Sequence, residues 1–226
     1  MDAYQKDDDQ ANDVRVLPMF PLGSVILPGD DVPLHVFEPR YREMVEHCLT
    51  TESHFGVVLI ERGHEVGGGD VRGTAAVSTR IDRAIPTPDG RFVLECTGVE
   101  RIRVLEWMRD DPYPQARITA WPDLDEPDED VAEVYDLVQE RTDTLFEILT
   151  DIAQSRDLPT PDVPRFSPAG ERSVREVWEF ASSLPLGSSD RAKVLAAETV
   201  GRRLQVLASA LDDVIAIAEF SRLPDM

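Results

Sequence analysis

The chain has 226 residues and a formal net charge of −21, from 44 acidic and 23 basic side chains. That length suits one large domain or two small ones, and a chain of this mass buries about 70% of its extended surface, so its core needs neither disulfide nor metal. The acidic balance argues against a phosphate-backbone partner and against an anionic membrane surface, because both are held mainly by lysine and arginine.

Lysine is confined to Lys6 and Lys193, and arginine carries the remaining positive charge. Cys48 and Cys96 are too few for a disulfide framework and lack C-x-x-C spacing. Both fall in apolar stretches and are expected to behave as small buried hydrophobes. No apolar run approaches the roughly 20 residues of a membrane span. The opening MDAYQKDDDQ is acidic and without an apolar core, so it does not read as a signal peptide. A cytoplasmic location follows as the expectation.

Residues 1–13 predict a disordered tail. Residues 14–122 read as β-rich. Val14–Phe20 is a short strand ended by Pro21, and Ser24–Leu27 a second, closed by the turn Pro28-Gly29-Asp30-Asp31. Pro33–Phe37 is a third. Pro39 then opens a helix, where its missing N–H costs nothing, and Tyr41, Met44, Val45, Cys48 and Leu49 recur on one helical face. The continuous apolar run Phe55–Ile60 predicts a central strand. Glu61–Arg72, with Gly67, Gly68 and Gly69, reads as a loop. Gly73–Ile85 is β-like up to Pro86. Asp89-Gly90 is a hairpin signal leading into Phe92–Thr97, and Ile102–Trp107 and Ala116–Trp121 complete the strands. Short strands with frequent turns predict a barrel or sandwich rather than a parallel sheet.

Residues 123–130 form an acidic, proline-bearing linker. Beyond it, residues 131–226 form a helical subdomain. Val131, Val134, Val138, Leu145, Ile148 and Ile152 mark one helix. A proline-rich connector, Leu158–Pro168, precedes the capping-box pattern Ser173-Val-Arg-Glu176, whose helix has Val174, Val177, Trp178, Ala181 and Leu184 on its apolar face. After the break Leu184-Pro185-Leu186-Gly187, one long helix is expected from about Ser189 to Phe220. Its apolar stripe is Leu195, Val200, Leu204, Leu207, Leu211, Val214 and Ala218. Trp121, Trp178 and this stripe are expected in the core.

Sites of chemistry are hard to find. A nucleotide-binding loop G-x-x-x-x-G-K-[ST] needs a lysine after glycine, and neither lysine follows one. The glycine run is followed by Asp70, which repels phosphate. There is no G-x-S-x-G elbow, and a Ser–Lys pair is poorly served by Lys6 in a tail and Lys193 on a polar helix face. His35, His47, His54 and His64 form no metal-ligand spacing. The sequence thus points to no catalytic residue, metal or cofactor. Glu38 is placed at a helix N-terminus, where negative charge is favoured, and Arg40 is expected to pair with a carboxylate of the β half.

The segment LPMFPLGSVILPGDDVPLHVFEPRYREMVEHCL resembles the opening of the N-terminal, substrate-binding domain of Lon proteases. The matching residues are Leu17-Pro18, Pro21-Leu22, Pro28-Gly29, Pro33-Leu34 and Phe37-Glu38-Pro39-Arg40-Tyr41. FGVVLI, Gly73-Thr74-Ala75, Asp89-Gly90, GVERIRV and LPLGSSDRAKVLAAETVGRRLQVL continue the likeness over about residues 14–220. The resemblance implies an α+β fold, a PUA-like β pseudo-barrel followed by a C-terminal α-helical bundle. It also implies a free-standing, non-catalytic module without the ATPase and peptidase domains of Lon. Such a module would act in protein quality control, as an adaptor or by recognising clients. Its expected partners are unfolded or exposed protein segments, and a protease or chaperone, with no nucleic acid and no membrane.

The expected contact route is an apolar groove between barrel and helices, or strand addition at an exposed edge. Candidate contact residues are Pro33, Leu34, Phe37, Tyr41, Trp107 and Tyr113; Glu38, Pro39, Arg40, Asp89 and Gly90 are read as structural. Two alternatives stand beside this reading. PUA domains elsewhere bind RNA, although the charge of −21 opposes that role. The chain could also serve assembly alone, through its last helix.

Overall fold

The β-branched and aromatic runs of the first half build six strands, with one helix between the second and third. They are β1 (Arg15–Leu22), β2 (Asp31–Val36), α1 (Pro39–Thr50), β3 (His54–Arg62), β4 (Val71–Pro86), β5 (Phe92–Trp107) and β6 (Gln115–Ala120). The computed structural model describes residues 14–63, 69, 71–124, 131–168 and 173–222. The expected tail 1–13, Gly67, Gly68 and residues 125–130 of the expected linker lie outside these. The chain divides into two compact units, Met1–Pro122 and Asp123–Met226.

The strand order is β2-β5-β4-β3-β1-β6, and β6 also pairs with β5. Strands β5, β4, β3, β1 and β6 therefore close on themselves, and β2 is added outside the ring along the first half of β5. Closure is what a 16-residue β5 makes possible. Its first half pairs with β2 and its second half with β6, while β4 lies along both. The sequence reading divided β5 at Gly98–Arg101. The strand runs on through that point with a shift in its pairing to β4, and Gly98 is held by hydrogen bonds to Asp30 and Gly29 of 2.9 and 2.8 Å, so close to Leu27 that a Cβ at Gly98 would stand 2.6 Å from its carbonyl oxygen.

Two other strand expectations are corrected. Pro21 does not end β1. Past Met19 this strand is paired only with β3, in parallel, so a residue without an N–H is tolerated on its open side. Ser24–Leu27 is not a strand. Val25, Ile26 and Leu27 are buried, but the Leu27 N–H donates to Asp30 Oδ2 at 2.8 Å and the chain turns through Gly29 at φ 95°. Likewise β3 runs on to Arg62 and β4 starts at Val71, shortening the loop expected at Glu61–Arg72.

Alternation decides which side chains fill the ring. Leu17, Met19, Val58, Ala76, Ile102, Val104, Ala116 and Ile118 form its buried interior. Gly56 belongs to the same space, since a Cβ there would meet Met19 Sδ at 2.5 Å. The opposite face of β1 and β3 is covered by α1, whose Tyr41, Met44, Val45 and Cys48 are buried. Phe20 packs on Tyr41 and Phe55, at centroid distances of 4.4 and 6.1 Å. Leu49, expected on the same face, is 43% exposed. Both cysteines are buried. Burial pushes the Cys48 thiol up to about 11 and the Cys96 thiol up to about 12.

In the second unit the helices are α2 (Val131–Ser155), α3 (Val174–Ser183), α4 (Ser188–Ala196) and α5 (Val200–Arg222). Arg141 pairs with Asp212 and Asp151 with Arg222, so α2 and α5 run in the same direction. The connector between α2 and α3 is pinned: Phe166 stacks on Phe180 at 3.8 Å and meets Tyr135 edge-on at 4.7 Å. Gln139 Nε2 donates to the Pro164 carbonyl oxygen at 3.1 Å and Oε1 accepts from the Phe166 N–H at 3.2 Å. Ser173 caps α3 by accepting the Glu176 N–H. The Glu176 carboxylate takes the Ser167 N–H.

The single long helix expected from Ser189 is two helices. Ala197 leaves helical geometry (φ −65°, ψ 127°), and Thr199 Oγ1 accepts the Arg202 N–H at 3.1 Å, restarting the chain as α5. Arg203 holds the break. Its side chain is fully buried, donates to both carboxylate oxygens of Asp123 at 2.8 and 2.6 Å and to the Ala197 carbonyl oxygen at 3.1 Å, and lies 3.6 Å from the Trp178 ring centroid. The Leu124 N–H donates to the Glu198 carbonyl oxygen at 2.8 Å. Asp123 and Leu124, expected in the linker, are thus held in the helical unit. Trp178 is core, 6% exposed. Trp121 is only partly buried, with the guanidinium groups of Arg101 and Arg103 at 4.3 and 3.9 Å from its ring centroid.

Candidate peptide-binding surface

Alternation along β2 sends Val32, Leu34 and Val36 inward and Asp31, Pro33 and His35 outward. The registers Leu34↔Leu94 and Ala84↔Leu94 carry this division across β5 and β4. On the outer face Pro33 stands in register with Glu95 and Arg83, and His35 with Val93 and Ile85. Phe37, one step beyond the strand, is 50% exposed, and Ile85 is 36% exposed. Pro33 and His35 are exposed and Val93 partly so. Ion pairs rim this apolar row: Arg83 with Glu95 at 3.5 Å, Arg91 with Asp89 at 3.0 Å, and Arg80 with Asp82 at 2.7 Å. Asp82 also accepts from Thr97 Oγ1 at 2.6 Å. That hydrogen bond, then Arg80, holds its carboxyl below the usual carboxylate range.

The six candidate contact residues separate on this map. Pro33 and Phe37 lie on the open face. Leu34, Tyr41 and Tyr113 are buried, 8%, 4% and 3% exposed, and offer a client no surface in this conformation. Tyr113 instead meets His47 of α1 in a short hydrogen bond between its hydroxyl and Nδ1, and burial raises its phenol pKa. Trp107 is partly buried against the ring interior. The Arg72 guanidinium sits 4.9 Å from its ring centroid and is held by Asp110 through two hydrogen bonds of 3.0 and 2.6 Å.

The structural residues close the same corner. Glu38 is the N-cap of α1 and Pro39 its first residue. Arg40 pairs with Glu38 at 3.1 Å, not with a strand carboxylate, and lies 4.5 Å from the Tyr41 ring centroid. The Asp89-Gly90 turn joins β4 to β5, with Gly90 at φ 77°. Arg42 of α1 fits beneath it, because a Cβ on Gly90 would stand 2.7 Å from Arg42 Nη2. His35, Ile85 and Val93 were not singled out from the sequence. Strand alternation alone could have put each on an outer face, but only the register sets them in one row. In the helical unit, Ile217 and Phe220 of α5 are 67% and 78% exposed, and a cleft of about 520 Å³ lies along α3 between Pro164, Ser173 and Phe180. Among the described residues no helix is long and apolar enough to cross a membrane.

A ring-closed β pseudo-barrel followed in the chain by a helical bundle defines an α+β protein of the PUA-like kind. The family model for the ATP-dependent protease La (LON) substrate-binding domain matches residues 16–213, and the chain belongs to that family. It is similar to a solved Lon N-terminal domain protein from Xanthomonas campestris, with TM-score 0.58 and 27% identity over 86% of this chain and 98% of that one. It is 32% identical to a Lon protease of Anaeromyxobacter dehalogenans over 48% of this chain and 13% of the relative. With a Lon protease of Cytophaga hutchinsonii it shares 24% identity over 92% of this chain and 25% of the relative. The chain therefore spans a quarter or less of the length of these curated relatives.

Proposed function

We propose that this chain is a non-catalytic, cytoplasmic module that captures exposed apolar segments of proteins on the outer face of β2, β5 and β4, and presents them to a protease or chaperone. The observation that carries the reading is the exposed group Pro33, Phe37, Val93 and Ile85, with His35 among them and ion pairs at its edges. Exposed apolar surface with a polar rim is the signature of an interaction site. Membership of a substrate-binding domain family supports a protein segment as the class of ligand. Nucleic acid fits poorly, because a net charge of −21 repels phosphate.

The test pairs binding with degradation. Pure protein, wild type and Phe37→Ser, is titrated with an unfolded casein-type client, and the client is followed for cleavage with and without ATP. Binding that Phe37→Ser weakens, with no cleavage, supports the reading. Cleavage by the pure protein would overturn its non-catalytic part, and client binding indifferent to Phe37→Ser would remove the face from it. A second reading, assembly through α5, is favoured by exposed Ile217 and Phe220. Sedimentation of wild type against Phe220→Ser decides it: a monomer in both excludes it.

A further inference from the structure

Capture on this face leaves open the form in which the client binds, and the geometry constrains it. Among the described residues β2 has a strand neighbour on one side only, so its other edge is where an extended peptide would add. Pro33 sits in the middle of that edge. Proline has no N–H to give to a new ladder, and edge prolines are a standard obstacle to strand addition. The outward side chains tell the opposite story: the apolar groups lie across the face, from Pro33 on β2 and Phe37 just beyond it, through Val93 on β5, to Ile85 on β4. Three strands at about 4.8 Å spacing set the outer two about 10 Å apart, the width of one α-helix. The same unit already shows this packing, with α1 laid on β1 and β3 through Tyr41 against Phe20.

Charge narrows the class further. Each rim arginine already faces a carboxylate: Arg80 with Asp82, Arg83 with Glu95, Arg91 with Asp89. The same pairs compensate the rim carboxylates, so the rim itself is balanced and the bias comes from the net charge of −21 on the whole chain. A basic segment gains from the field of that charge. Resting on the proposed capture role, we infer that the face takes a basic amphipathic helix, its apolar stripe on Phe37, Val93 and Ile85 and its lysines and arginines toward the rim.

Three labelled peptides test this by fluorescence anisotropy. One is a Leu/Ala/Lys amphipathic helix. The second has the same residues with two central prolines that prevent a helix. The third is the helix with Glu in place of Lys. The full chain should bind the first at least about tenfold more tightly than either other, a difference of about 1.4 kcal/mol. Added salt should weaken that binding, and Ile85→Glu, checked for an unchanged thermal midpoint, should abolish it. Equal binding of the proline-broken peptide, with new protection of β2 amides from hydrogen exchange, would overturn the helical assignment while leaving capture intact. Preference for the Glu peptide would overturn the basic one. Binding by none of the three removes capture on this face, and the helix with it.

Discussion

Removing the carboxylate of Asp123 strands a guanidinium that has no route to water. Arg203 is fully buried and both its terminal nitrogens engage Asp123, whose own side chain is 14% exposed. Breaking a buried pair from one side costs about 3–5 kcal/mol, because the surviving charge is left uncompensated. A domain holds about 5–15 kcal/mol in total, so Asp123→Ala should take a large share of the stability of the unit Asp123–Met226. At about 4–8 °C per kcal/mol for a small domain, its midpoint should fall by roughly 12 °C or more. The double variant Asp123→Ala/Arg203→Met removes both charges while an apolar stem still packs on Trp178. It should recover most of the loss, short by about 1 kcal/mol for the hydrogen bond to the Ala197 carbonyl oxygen. Denaturant unfolding followed by helical ellipticity reads all three proteins. A loss under about 1 kcal/mol for Asp123→Ala, or a double variant no more stable than the single one, would refute the reasoning.

Gly98→Ala pushes a Cβ into the Leu27 carbonyl oxygen, where backbone must move, so it should destabilise the β unit by more than Gly56→Ala, whose clash is with the flexible Met19 and costs about 1–3 kcal/mol; chemical denaturation of both variants ranks them. The thiols of Cys48 and Cys96, raised by burial from 9.0 to about 11 and about 12, should resist a thiol reagent at pH 8 until the protein is unfolded. Because their folded pKa values are raised, their contribution to stability is intact below about pH 9 and is lost as pH rises toward 11–12, which alkaline unfolding curves will show. Thr97→Val removes the largest cause of the lowered Asp82 pKa, so the Asp82 carboxyl should titrate at higher pH by NMR. In wild type its contribution persists to lower pH and is lost as pH falls through that depressed value.

Several elements were legible because their signal is local. Pro39 at the first position of α1, the Asp89-Gly90 turn, Ser173 at the start of α3 and the apolar stripes of α1 and α2 follow from backbone preferences acting over one or two turns. The motif Phe37-Glu38-Pro39-Arg40-Tyr41 marked the family for the same reason, and family membership bears it out. Misreadings arose where a partner distant in sequence overruled the local preference. Pro21 is tolerated in β1 because β6 has already left that side. Gly98 continues β5 because Gly29 and Asp30 hydrogen-bond to its backbone. The helix breaks after Ala196 with neither proline nor glycine, because Thr199 restarts it and Asp123 waits for Arg203.

The sequence by itself determined the β-rich first half and the helical second half, that the two cysteines are buried, and to which family the chain belongs. Those properties depend on the order of residue types, and neighbours in the chain set them. Only the tertiary structure decided which of the candidate contacts face outward. Leu34 and Pro33 are adjacent in sequence and read alike as apolar, yet the pairing of β2 with β5 buries one and exposes the other. The row of His35, Val93 and Ile85 exists only because three strands align in one register, and a one-residue slip of β2 would turn His35 and Pro33 inward.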